Sequence, residues 1–148
     1  MTAAAVRAGD ALPELVRRIE LADMVAYAGA TWDWHRLHYD PAYLEPRKLP
    51  APVVDGQVFG ALLAEQVQDW LGPSARLRRL SFRFTNLVFA GETVRCSGTV
   101  TAVDGGLITV DQRVEVVEDG RVAVAPATTE VELGTVASGT VASGEAAP

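Results

Sequence analysis

The feature that most constrains the fold is a single change of period. From Val58 to Leu71 the large apolar residues Val58, Phe59, Leu62, Leu63, Val67, Trp70 and Leu71 recur every three or four positions, which puts one apolar face on a helix. Asp55 can cap its start and Gly72-Pro73 ends it. From Leu80 onward the period becomes two. Leu80, Phe82 and Phe84 alternate with Ser81, Arg83 and Thr85, and later Val94, Cys96, Gly98 and Val100 alternate with Arg95, Ser97, Thr99 and Thr101. Ala90-Gly91-Glu92, Asp104-Gly105-Gly106 and Glu118-Asp119-Gly120 supply reversals, so the second half is expected to be an antiparallel meander. Strands are therefore expected over Leu80–Phe89, Thr93–Val103, Leu107–Val117 and Arg121–Leu133, with Pro126 forcing a bulge or an edge in the last. Helix first and strands after is the α+β pattern, unlike the alternation of a dinucleotide-binding sheet. Gly60, Ala61 and Ala64 keep part of the helix surface small, which suits close approach to an enclosing sheet.

Upstream, Leu15 to Glu20 is compatible with a strand, Leu21 to Thr31 has helical spacing, and Pro41 can open a further helical turn. Residues Met1 to Leu12 are Ala-rich and expected to be flexible. Gly134 to Pro148 repeats Thr-Val-Ala-Ser-Gly, too poor in large apolar residues to offset its own ordering entropy, and is expected to be a disordered tail. The working body is one domain, residues 13–133.

Charge narrows the function classes. A net charge of −6 with scattered arginines gives no electrostatic footprint for nucleic acid, and no run is long and apolar enough to span a bilayer. The N-terminus lacks the basic-then-apolar pattern of a secretion signal, so a cytoplasmic protein is expected. With a single cysteine, Cys96, on the apolar face of a strand, neither a disulfide within the chain nor a cysteine zinc set is available. Phosphate-binding glycine motifs and a nucleophile elbow are absent, and no cofactor is indicated.

The chemistry concentrates in Asp33-Trp34-His35-Arg36-Leu37-His38-Tyr39-Asp40, which holds both histidines of the chain and brackets them with carboxylates. Imidazole titrates near neutrality, and a neighbouring carboxylate can orient it or share a water with it, so acid/base catalysis is one reading. A polar loop in which Asp33 caps a turn is the other. A metal centre drawn from Asp33, His35, His38, Asp40 and Asp55 is less favoured, because His-x-x-His places two imidazoles poorly on one helix face and no third histidine or cysteine completes a set.

The run from Tyr27-Ala28 through Thr31-Trp32-Asp33 to Leu37-His38-Tyr39-Asp40 resembles the signature of the MaoC-like dehydratases, which include the R-specific enoyl-CoA hydratases. Val53-Val54-Asp55-Gly56 looks like that family's opening of its long helix, and Leu87-Val88-Phe89-Ala90-Gly91-Glu92-Thr93-Val94 like its strand connection. The resemblance covers roughly residues 15–133. It implies a hot-dog fold, an antiparallel sheet wrapped around one long central helix, in a homodimer or a heterodimer with another hot-dog chain. It also implies a hydro-lyase acting on a trans-2-enoyl thioester of coenzyme A or acyl carrier protein. Asp33 and His38 would be the catalytic pair, with Gly56 an N–H donor to the thioester oxygen and Asp55 and His35 beside the substrate. Alternatives within the resemblance are a hot-dog thioesterase and a non-catalytic partner subunit. Here His35 replaces the family Asn, Arg36 the Pro, Trp32 a Gly, and Asp55 the His before Gly56.

Overall fold

The computed structural model describes residues 6–134. In chain order these form β1 (Leu15–Arg18), α1 (Leu21–Thr31), α2 (Pro41–Leu44), α3 (Gly56–Leu71), β2 (Ala75–Phe84), β3 (Thr93–Asp104), β4 (Leu107–Val116) and β5 (Val122–Leu133). The strands make one five-stranded antiparallel sheet in the order β1-β3-β4-β5-β2. None of the described helices is long and apolar enough to cross a membrane.

The long helix forms where its period predicts. An oxygen of Asp55 accepts from the Gln57 N–H at 2.8 Å, satisfying one of the orphan donors of the first turn. The buried stripe Phe59, Leu62, Leu63, Val67 and Leu71 lies against the inward residues of the sheet, among them Val94, Cys96, Val100, Ile108, Val110, Val114, Val116, Val124 and Val131. Each such side chain contributes about 1.5–3 kcal/mol on burial, which makes this layer the main source of stability. One polar chain crosses it. Gln66 donates to the carbonyls of Pro13 (2.9 Å) and Cys96 (3.0 Å); Gln112 donates to the Leu63 carbonyl (3.0 Å) and to Gln66 Oε1 (2.9 Å); Thr129 donates to Gln112 Oε1 (2.5 Å). No described buried side-chain polar atom lacks a partner. A sheet curled about one helix is the hot-dog arrangement that the resemblance implies.

Four expectations need correction. The strand expected from Leu80 to Phe89 runs instead from Ala75 to Phe84. Its first residues escape the alternation because a register shift between Leu77 and Arg79 breaks the period, and Arg76, Leu77, Arg78 and Arg79 are all exposed. Second, the chain does turn at Ala90-Gly91, but the strands are not a simple meander: β2 lies at the edge beside β5, while β3 pairs with β1 and β4. The chain crosses between them, and its end is tied to β1 through Gly91 N to Ile19 O (2.7 Å) and Ile19 N to Glu92 O (3.0 Å). Third, residues 6–12 are packed. Val6 and Leu12 are buried, and Gly9 N to Val100 O (2.8 Å), Val100 N to Asp10 O (2.9 Å) and Leu12 N to Gly98 O (2.9 Å) lay this segment along β3. Fourth, the three inner strands each differ by one residue from their expected limits, β3 ending at Asp104, β4 ending at Val116 and β5 starting at Val122.

Pro126 sits in an inner strand, at a bulge. Ala127 faces Gln112 and Phe82 while Val124 faces Val114 and Phe84, so two residues of β5 oppose one on each side and the missing N–H breaks no ladder. The expected tail Gly134–Pro148 lies outside the described residues apart from Gly134, whose N–H reaches Ser74 O at 3.1 Å.

Candidate functional site

The loop after α1 has no repeating period, yet nearly every residue in it is tied down. Helix α1 ends on Trp32, which adopts the left-handed conformation with φ 63°. Asp33 Oδ1 then accepts from His35 N (3.1 Å), and His35 Nδ1 accepts from Leu37 N (3.2 Å), capping a 3-10 turn at Arg36–His38. Tyr39 donates to Trp34 O (3.0 Å). Asp40 caps α2 by accepting from Ala42 N (2.9 Å) and accepts from Arg36 Nε (2.7 Å). The Arg36 guanidinium beside Asp40 holds its carboxyl below the usual range. The bonds from backbone N–H groups to Asp33, His35 and Asp40 are local side-chain to backbone bonds, of the kind that hold chain outside regular helix and strand.

A second segment locks this loop to the long helix. Val53 N donates to Leu37 O (3.1 Å) and Val53 O meets His38 Nδ1 at 2.7 Å. The neighbouring bonds Val54 N to Val88 O and Ala90 N to Pro52 O, both 2.8 Å, fasten the segment to the crossing connection. Asp55 follows at once and starts α3. Residues far apart in sequence thus converge: Asp33, His38 and Asp55 each bring a nitrogen or oxygen within 4.8 Å of the others. Asp33 is exposed, and His38 and Asp55 are half-buried.

A carbonyl oxygen can only accept, so the bond to Val53 requires the proton on Nδ1 of His38 and leaves Nε2 free for the site. The N–H of Gly56, first of α3, has no acceptor among the described residues. It points out of a helix N-terminus, where partial positive charge favours an anion. Behind the cluster, burial pushes the Tyr27 phenol up, and the charge of Asp55 adds to the effect.

Of the residues singled out from sequence, the fold gathers Asp33, His38, Asp55 and Gly56. His35 stands outside this group. Its Nδ1 is used by the Leu37 N–H, and its ring meets Tyr43 edge to face at 5.6 Å and His38 at 5.9 Å. Asp40, similarly, is committed to its cap and to Arg36. Two carboxylates and an imidazole are a donor set that a divalent cation can accept, but the larger set weighed from sequence is not assembled. Arg78 pairs with Glu132 on the sheet. Trp32 and Trp34 meet edge to face at 6.2 Å, with Trp34 against Tyr39 at 6.4 Å, and Trp32 is 81% exposed.

Two residues at the site drew no site role from sequence. Val53 acts through its backbone, which side-chain pattern cannot show. Phe84 was assigned only to a strand face, whereas its ring lies against Gly56 so closely that a Cβ there would come within 2.5 Å of it.

The MaoC like domain, as a family model, matches residues 6–122. The chain is 35% identical over 102 residues to the 3-oxo-4,17-pregnadiene-20-carboxyl-CoA hydratase beta subunit of Mycobacterium tuberculosis, covering 69% of this chain and 79% of that protein. It is 32% identical over 97 residues to the (R)-specific enoyl-CoA hydratase of Aeromonas caviae, covering 60% and 67% respectively. Among solved structures, the ChsH1-ChsH2 complex from Mycobacterium tuberculosis superposes with a TM-score of 0.79 at 31% identity, over 86% of this chain and 98% of the matched one.

Proposed function

The chain belongs to the MaoC-like domain family, and from that premise we propose that it hydrates trans-2-enoyl thioesters of coenzyme A or acyl carrier protein, reversibly, with Asp33 and His38 as its acid/base pair. The observation that carries this is the convergence of those two side chains, from opposite ends of one loop, beside a free helix N-terminus. A water held between the Asp33 carboxylate and His38 Nε2 loses a proton to the pair as its oxygen bonds to Cβ of the substrate. The same pair returns that proton to Cα, so atoms and charge balance with no cofactor consumed. In between, the thioester oxygen carries enolate charge, and the Gly56 N–H is the donor placed to meet it. Asp55, where the family has His, caps the same helix end, with one oxygen accepting from Gln57 N. His35 acts on substrate only indirectly, by holding the turn that carries His38.

A second reading has a specific observation behind it. The relatives include a hydratase beta subunit and a two-protein complex, so this chain is also suited to work as one half of a heterodimer with another hot-dog chain. We place the protein in the cytoplasm, where both thioester carriers are made available to soluble enzymes. The test is hydration of crotonyl-CoA and longer trans-2-enoyl-CoAs by the purified chain, followed as loss of the conjugated thioester absorbance, with solution mass measured on the same sample. Turnover by a homodimer supports a complete enzyme. Turnover restored only by a second hot-dog chain supports the subunit reading, and no turnover in either form contradicts both.

A further inference from the structure

Along the seam between α3 and β2 the helix carries two glycines one turn apart, and two phenylalanines of the strand lie over them. A Cβ at Gly56 would fall 2.5 and 2.7 Å from the tip of Phe84, and one at Gly60 would fall 2.9 Å from two atoms of Phe82. The rings pack edge to face with centroids 5.4 Å apart. The helix therefore presents bare backbone to this seam, which is what permits so close an approach. Phe82 is half-buried, and Phe84 remains 52% exposed. It is the last residue of β2, at a register shift in the pairing with β5, and beyond it Thr85, Asn86 and Leu87 are exposed. A large, half-exposed apolar side chain at the end of a strand, held there by Thr85 N to Ala123 O (2.9 Å) and Asn86 Nδ2 to Val122 O (2.8 Å), is thus parked over the residue whose N–H is unpaired among the described residues.

We propose that Phe84 is the specificity-determining wall of the acyl subsite, setting by its position over Gly56 how long an acyl group the site admits. This rests on the hydration reading, because a thioester oxygen at the Gly56 N–H brings the acyl carbons against the Phe84 ring. With the ring over Gly56 the space suits short, linear acyl groups. With the ring removed or swung aside, the bare backbone at Gly56 is uncovered up to the edge of the Phe82 ring, which continues to cover Gly60. Longer apolar acyl groups then gain contact that short ones cannot reach.

The experiment measures calorimetric affinities of butyryl-CoA and decanoyl-CoA, saturated thioesters that cannot react, for the full chain and for Phe84→Ala and Phe84→Leu. Because a single methylene in an apolar pocket is worth roughly 10–200-fold in discrimination, Phe84→Ala is expected to shift the decanoyl-to-butyryl affinity ratio at least about tenfold toward decanoyl, with Phe84→Leu between. A structural role alone would move both affinities together and leave the ratio unchanged, which overturns the assignment. Failure of the unsubstituted chain, with or without a hot-dog partner, to bind either thioester overturns the hydration reading and this assignment with it. Binding with an unmoved ratio overturns only the role of Phe84.

Discussion

His38 Nδ1 and the carbonyl oxygen of Val53 lie 2.7 Å apart, and this bond fixes both the tautomer and the aim of the imidazole. Because the Val53 N–H is simultaneously bound to Leu37 O, the same residue holds the histidine and the turn that carries it. A side chain restrained in this way loses little further freedom on reaching a transition state, which is where positioning contributes to rate.

His35→Asn should be tolerated. The role of His35 is to accept from Leu37 N at 3.2 Å, and an Asn oxygen at the cap of a turn does the same. The melting temperature should stay within about two degrees and turnover on linear enoyl thioesters should be retained; His35→Ala, which removes the acceptor, should cost about 0.5–2 kcal/mol in a denaturation titration.

Trp32→Gly should stabilise the protein. Trp32 occupies the left-handed region at φ 63°, a conformation that costs a residue with a Cβ about 1–2 kcal/mol and glycine almost nothing. Its ring is 81% exposed, so little burial is lost. Loss of the edge contact with Trp34 offsets part of the gain, leaving about 1 kcal/mol, or a few degrees in the melting temperature.

Gln112→Leu should destabilise despite its similar size. It removes the donor to Gln66 Oε1 and the acceptor of the Thr129 hydroxyl, in a layer sealed from water. A buried polar group left without a partner costs about 1–3 kcal/mol, and the midpoint of urea unfolding should fall accordingly. A double change, Gln112→Leu with Thr129→Val, should recover part of the loss.

Cys96 should be inert in the native protein. Burial, with a smaller contribution from the charge of Glu65, pushes its thiol up to about 12, so the reactive thiolate is scarce at neutral pH. Iodoacetamide at neutral pH should label it only after denaturant is added.

How much of this was legible in the sequence follows from what each signal encodes. The period from Val58 to Leu71 and the Asp55 cap specify α3 because both are local, and the same holds for α1 and the turn that Pro41 opens. The alternation around Phe82 and Val94 shows which side chains point inward but says nothing of neighbours, so the place of β2 beside β5 could not be read. Residues 6–12 were hidden by their Ala and Gly content, since only Val6 and Leu12 are needed to hold the segment to the core. In the site, Asp33 and His38 were carried by the signature of the loop. The closeness of Asp55 to them, and of Phe84 to Gly56, depends on the tertiary path and left no mark in spacing.

The central claim is that Asp33 and His38 act as one acid/base unit, and the direct measurement is kcat/KM for crotonyl-CoA hydration in Asp33→Asn, His38→Ala and the double variant. Each single change should lower it by at least about a hundredfold, since a positioned general acid or base contributes about 10²–10⁴. The double variant should be scarcely worse than either single one, because groups that share one water do not contribute independently. Circular dichroism and melting temperature should remain near those of the unsubstituted protein, as neither change opens a large apolar cavity. Near-normal turnover in folded Asp33→Asn would contradict the account.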